Sequence, residues 1–106
     1  MSIAMIKLLY VPCKNQAEAK HIASKTIELK LAACANILPM NSLYIWEGKL
    51  QDDAEVLLLL KTTKEKIDAL KLDVKKHHSY AVPCLLEIDG DVNQEYERWM
   101  YDSMSN

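Results

Sequence analysis

Residues 33–50 read ACANILPMNSLYIWEGKL, and after the polar stretch QDDA (51–54) the chain continues EVLLLLKTT (55–63). The first run is rich in strand formers and has no helical period, so a long strand is expected, with Pro39 breaking or bulging it. Beyond Pro39, Ser42, Tyr44 and Trp46 share one face, and Leu43 and Ile45 share the other. Neither face is plainly polar. A strand that is apolar or aromatic on both sides is either buried twice over or meets something outside its own chain. QDDA predicts a turn, and the apolar run after it predicts a central strand paired back onto the first. Such a hairpin is long for 106 residues.

Working outward, Ile3–Val11 is apolar and partly β-branched and ends at Pro12, which predicts a buried strand. Asn15 can then cap a helix with the stripe Ala19, Ile22, Ala23 and Ile27, leaving His21 toward solvent; KTIELK (25–30) sets lysines near its end, where the dipole favours them. After the hairpin, Thr62 and Glu65 fit a capping box for a second helix, with the stripe Ile67, Leu70 and Val74 fading in KKHH. YAVPCLLEI returns to strand character, DGD predicts a turn, and Asn93 can cap a last helix lined by Val92, Tyr96, Trp99 and Met100. The order strand, helix, strand, strand, helix, strand, helix predicts one α+β domain over residues 1–106. It is a ferredoxin-like split βαβ sandwich: an antiparallel sheet with an extended hairpin, the two main helices on one face, and an extra C-terminal helix.

Thirteen basic against fifteen acidic residues give a formal charge of −2, with lysines scattered rather than massed, which argues against nucleic acid or an anionic membrane as partner. The opening MSIAMIKLLYVPCK is too short for a membrane span and lacks the pattern of a signal peptide, and the bulky YVP before Cys13 argues against lipid attachment. Cys13, Cys34 and Cys84 are odd in number and form no CxxC pair, so reduced thiols in the cytoplasm, packed as small hydrophobes, are the default.

HHSYAVPCLLEI (77–88) raises the question of a metal site. Neighbouring histidines sit about 100° apart on a helix and on opposite faces of a strand, so one element rarely lets both clasp one ion. Cys84 lies six residues past His78, about 20 Å along an extended chain, whereas donors to one metal lie within about 4 Å of each other. The stretch is therefore no self-contained site, although it could supply ligands completed from elsewhere; imidazole and thiolate together would suit zinc or copper. The competing reading is structural: a half-buried His78 ends the helix and His77 is exposed. There is no Gly-rich phosphate loop, HExxH or GxSxG, and no spacing supports Cys34 as a nucleophile with His78 as base, so enzyme function is not expected. Glu55 and Lys61 flank an apolar run, and Tyr44, Trp46 and Tyr80 suit a core or an interface.

The ordered set Cys34, Asn36, Pro39, Ser42, Tyr44, Trp46, Gly48, Glu55, Lys61, Thr62, His78, Tyr80, Pro83, Tyr96 and Trp99 resembles the CutA divalent-cation tolerance family from about Ile6 to Ser103. The resemblance implies a ferredoxin-like homotrimer built like the PII signalling proteins, with the hairpin pairing across subunits. It implies tolerance of copper or another divalent metal ion, no established enzyme activity and, by analogy with animal relatives, a further protein partner. Metal ligands carry over to His77 and His78, with Cys84 where the family has a glutamate. Cys34, Trp46, Glu55, Lys61 and Tyr80 belong to or lie near a cleft between subunits. The family pattern His-Pro-Tyr-x-x-Pro-Glu is altered here: Ser79 replaces the proline and Cys84 the glutamate, which makes the donor set softer or removes the site. The alternatives are a PII-like small-molecule module with an anion beside Lys61, and a trimeric scaffold without ligand.

Overall fold

The structure is a computed structural model describing residues 4–105. Its elements are β1 (Ala4–Cys13), α1 (Gln16–Glu28), β2 (Cys34–Trp46), β3 (Lys49–Thr62), α2 (Ile67–His77), β4 (Leu86–Val92) and α3 (Gln94–Met104). The strands form one antiparallel sheet in the order β2-β3-β1-β4, the ferredoxin-like arrangement expected from the sequence; Ile3, at the start of the first expected strand, lies outside the described residues.

Period-two alternation divides the sheet. Leu9, Val11 and Cys13 of β1, with Leu58 and Leu60 of β3, pack against Ala19, Ile22 and Ala23 of α1 and Ile67, Leu70 and Val74 of α2. Asn15 caps α1 as expected, accepting from the Glu18 amide at 2.9 Å. The opposite face, which carries Ile6 and Lys61, meets α3 at one end: Met100 and Met104 are buried, and Lys61 Nζ sits 5.3 Å from the Tyr96 ring centre.

Five local expectations are corrected. The hairpin turns at Glu47 and Gly48, both with positive φ (51° and 77°), and not at QDDA, which lies inside β3. Two consecutive left-handed residues match the right-handed twist of the flanking strands. Pro39 neither breaks nor bulges β2, whose register runs unbroken from Cys34 opposite Lys61 to Trp46 opposite Lys49. β2 is an edge strand, where a missing N–H need cost no ladder bond. No capping box forms at Thr62 and Glu65: Thr62 donates its hydroxyl to the Leu31 carbonyl, Glu65 accepts from the Tyr101 hydroxyl, and α2 begins after Lys66. Finally, Asp89, Gly90 and Asp91 continue β4 rather than turning the chain, and residues 80–85 of the expected strand YAVPCLLEI are irregular, strand beginning only at Leu86.

β1 covers β3 only as far as Cys13 opposite Val56. Residues 40–55 therefore form a two-stranded ribbon projecting beyond the sheet, and they stretch the subunit to 49 Å in its longest direction. Leu43, Ile45, Trp46 and Leu50 on this ribbon are 63–66% exposed, with apolar side chains on both faces.

Candidate functional site

Where α2 ends, the two histidines part. His77 closes the helix, and His78 adopts an extended backbone (φ −82°, ψ 141°) that carries its ring inward. The His78 side chain is fully buried. Its Nδ1 accepts from the Tyr80 amide (3.1 Å), so the ring proton belongs on Nε2, which donates to the Pro12 carbonyl (2.8 Å). Beside it lie Cys13, read from the sequence only as a buried thiol, and Glu18, not singled out there; the donor atoms of Cys13, Glu18 and His78 all fall within 4.8 Å of one another. The one signal for Glu18 was its place three residues after the cap Asn15, where a carboxylate reaches back to the entering chain; it accepts from the Lys14 amide at 3.0 Å.

By element type a thiol, a carboxylate and an imidazole suit zinc or copper. In this arrangement they do not fit an ion. Both His78 nitrogens are committed, and the Glu18 oxygens accept from the Lys14 and Ser79 amides (3.0 and 2.9 Å). Burial, with Glu18 and Glu55 nearby, pushes the Cys13 thiol up to about 12, so it stays protonated at neutral pH. Burial also pushes the Glu18 carboxyl up, but its bonds to Ser79 and Lys14 and the neighbouring His78 outweigh that and hold it below the ordinary value. The trio is a closed brace tying α1 and the β1 end to the segment after α2.

That brace aims Tyr80. The Tyr80 ring packs 4.7 Å from the His78 ring, and its hydroxyl donates to Glu55 at 2.6 Å. Burial and this bond push the Tyr80 phenol up, so it remains a donor. Tyr80, Glu55, Tyr44, Asp53, Pro12, Val82 and Cys84 surround an open cleft of about 520 Å³, and Tyr44, Trp46, Tyr80 and Val82 line an adjoining apolar groove of about 330 Å³. Tyr44 donates to Asp53, which raises its phenol, with burial second.

Of the residues proposed from sequence, the structure thus gathers Glu55, Tyr80 and Cys84 around one cleft beside the ribbon, with Trp46 on the adjoining groove. Cys34 and Lys61 face each other across the β2–β3 ladder, away from it, beside Tyr96. His78 lies buried under Tyr80, and His77 sits on the outer helix layer with Nδ1 bonded to the Asp73 carbonyl at 2.9 Å. Tyr44 and Asp53 complete the cleft wall; Asp53 was hidden in the stretch read as a turn.

No described helix is long and apolar enough to cross a membrane. The family model for the CutA1 divalent ion tolerance protein matches residues 7–103. The chain is 44% identical over 99 residues to "Protein CutA 1, chloroplastic" of Oryza sativa, covering 91% of this chain and 55% of that one. It is 42% identical over 95 residues to "Protein CutA homolog" of Xenopus laevis, covering 88% and 63%. The chain thus spans little more than half the length of these two relatives. The solved structure of CutA from Synechococcus elongatus superposes with a TM-score of 0.93 at 32% identity, over 99% of this chain and 95% of that one. The chain belongs to the CutA divalent-cation tolerance family.

Proposed function

We propose that the chain works as a cytoplasmic homotrimer in the response to divalent metal ions, binding copper or another divalent ion and catalysing no reaction. The observation that carries the assembly is the ribbon of residues 40–55, which extends past its last β1 partner with Leu43, Ile45 and Trp46 of β2 and Leu50 of β3 exposed and both strand edges open. A two-stranded ribbon alone in water is marginal, and an open apolar edge is a template for another chain. The other sheet face also leaves Leu38, Leu86 and Ile88 exposed, so a subunit docking there would bury apolar surface that α3 does not reach. Of the three ligands expected from the sequence, Cys84 and His77 are accessible in the folded subunit, whereas His78 is committed to the brace.

Light scattering tests the assembly: three times the 12.1 kDa chain, about 36 kDa, is expected, and Leu43→Asp, which places a charge on the ribbon, should shift the mass toward the monomer. A wild-type monomer at micromolar concentration overturns the assembly. Zinc and copper titration of the chelator-stripped protein tests the ion, and absence of binding to either removes it.

The cleft favours a second reading, a PII-like module for a small molecule. With Asp53 and Glu55 on its wall and Lys61 elsewhere, it suits a cation or a hydrogen-bond donor rather than an anion. A metabolite that raises the melting temperature in the presence of chelator would support this module over the metal reading.

A further inference from the structure

We propose that His21 of α1 and His77 of α2 form a two-imidazole site for a zinc- or copper-class divalent ion on the outer surface of the helix layer, with Asp73 behind His77 as a positioning carboxylate. The inference supplies a ligand set for the metal response proposed above and rests on that reading.

The two rings come from different helices, which removes the geometric objection to neighbouring histidines. Their centres are 5.9 Å apart at an interplanar angle of 70°. With metal–nitrogen bonds of about 2 Å, an ion lies about 3 Å from each ring centre, so two imidazoles sharing it have centres about 5–6 Å apart. His77 is already oriented as a ligand: Nδ1 faces the Asp73 carbonyl at 2.9 Å and acts as donor there, which leaves the Nε2 lone pair pointing away from the helix. The His21 side chain is exposed, and its ring makes no hydrogen bond among the described residues, so it can turn toward a shared ion without breaking one.

Asp73 is the independent observation. Its Oδ2 is buried with no hydrogen-bond partner and lies 3.6 Å from His77 Nδ1, while the side chain is only 13% exposed. A buried carboxylate oxygen without a partner is costly. An ion on His77 Nε2 supplies positive charge facing that oxygen, while Nδ1–H stays on the Asp73 carbonyl, the carbonyl–histidine–metal arrangement that orients imidazole ligands. The end of α2 adds the negative pole of its dipole. Lys75 and Lys76 share that last turn, so the site has little negative potential for hard cations; its affinity has to come from nitrogen bonding, which selects zinc, copper or nickel over magnesium or calcium. The helix layer lies on the sheet face opposite Leu38, Leu86 and Ile88, so assembly through that face leaves the pair open to solvent.

Calorimetric titration of zinc into the chelator-stripped full chain, with long-range proton–nitrogen spectra of the imidazoles, tests the site. Wild type should bind zinc with Nε2 shifts at His21 and His77 and none at His78. His21→Ala, which alters an exposed side chain, should weaken binding at least about tenfold, and Asp73→Asn about tenfold with both histidines intact. Wild-type binding that His21→Ala leaves unchanged overturns the site while sparing the metal reading. A wild type that binds neither zinc nor copper overturns both.

Discussion

Replacing His78 with alanine separates a brace from an open ligand. The fully buried ring holds the Pro12 carbonyl at 2.8 Å and the Tyr80 amide at 3.1 Å, and it packs 4.7 Å from the Tyr80 ring. Each buried polar group left without a partner costs about 1–3 kcal/mol, toward the lower end for the Tyr80 amide, since Tyr80 is only half-buried. With the lost packing of the ring, a destabilisation of about 3 kcal/mol is expected. For a domain of this size that lowers the melting temperature by about 10–20 °C. The assay is thermal unfolding at fixed chain concentration, because assembly makes the midpoint concentration-dependent. Metal affinity should survive wherever the variant is folded. A His78→Ala protein that melts within about 1 kcal/mol of wild type but no longer binds zinc or copper would refute the reasoning, since such a ring contributes to ligation and not to the fold.

Gly48→Ala should destabilise by about 1 kcal/mol, seen in urea unfolding; the added methyl would meet nothing within 4 Å, so the cost comes only from φ of +77°. Cys13 should resist a thiol reagent at pH 8 until denaturant is added, because it is buried and its thiol is pushed up to about 12, whereas the exposed Cys84 of the subunit should label readily. Fast labelling of Cys13 in the native protein would contradict the brace. The Glu87 carboxyl is held below its ordinary value of 4.5 by Lys71 and then by Lys7. A group depressed in the folded state adds stability that is present above pH 4.5 and lost as pH falls through the folded value, so Glu87→Gln should flatten that acid limb of the stability profile.

The core was legible because it obeys two simple periods. Ala19, Ile22 and Ala23 recur at helical spacing, as do Ile67, Leu70 and Val74, and all six are buried against alternate residues of β1 and β3. Gln51–Ala54 were not legible as strand, because polarity marks a turn only where the flanking strands pack on a core. Here the ribbon has left the sheet at Val56, and polar residues in it need bury nothing. Gly90 misled in a similar way. On the edge strand β4 it stands beside Ile6 and Leu8, in ordinary contact distance for a Cβ, so its presence reflects no turn. At the site, Glu55 and Tyr80 became candidates through the family resemblance, and local sequence could not show that they touch, since 25 residues and a helix separate them. Cys13, Glu18 and His78 meet only through packing of α1 against the end of α2.

The two adjacent histidines differ in role because the helix stops between them. One residue of extended backbone sends His78 under Tyr80 and leaves His77 across from His21. Ser79 reinforces that break. Its amide donates to Glu18 Oε2 at 2.9 Å, a bond that the proline of the family pattern has no N–H to make. With Glu18 held by Ser79 and Lys14, His78 held by Pro12 and Tyr80, and the Cys13 thiol kept protonated by burial, the groups that could have faced an ion at this end of β1 are committed to the chain itself. The substitution that looked from the sequence like the loss of a family feature is, in the fold, what closes the brace. Metal chemistry in the folded subunit is thereby left to donors outside it, at His77 on the helix layer and Cys84 at the cleft.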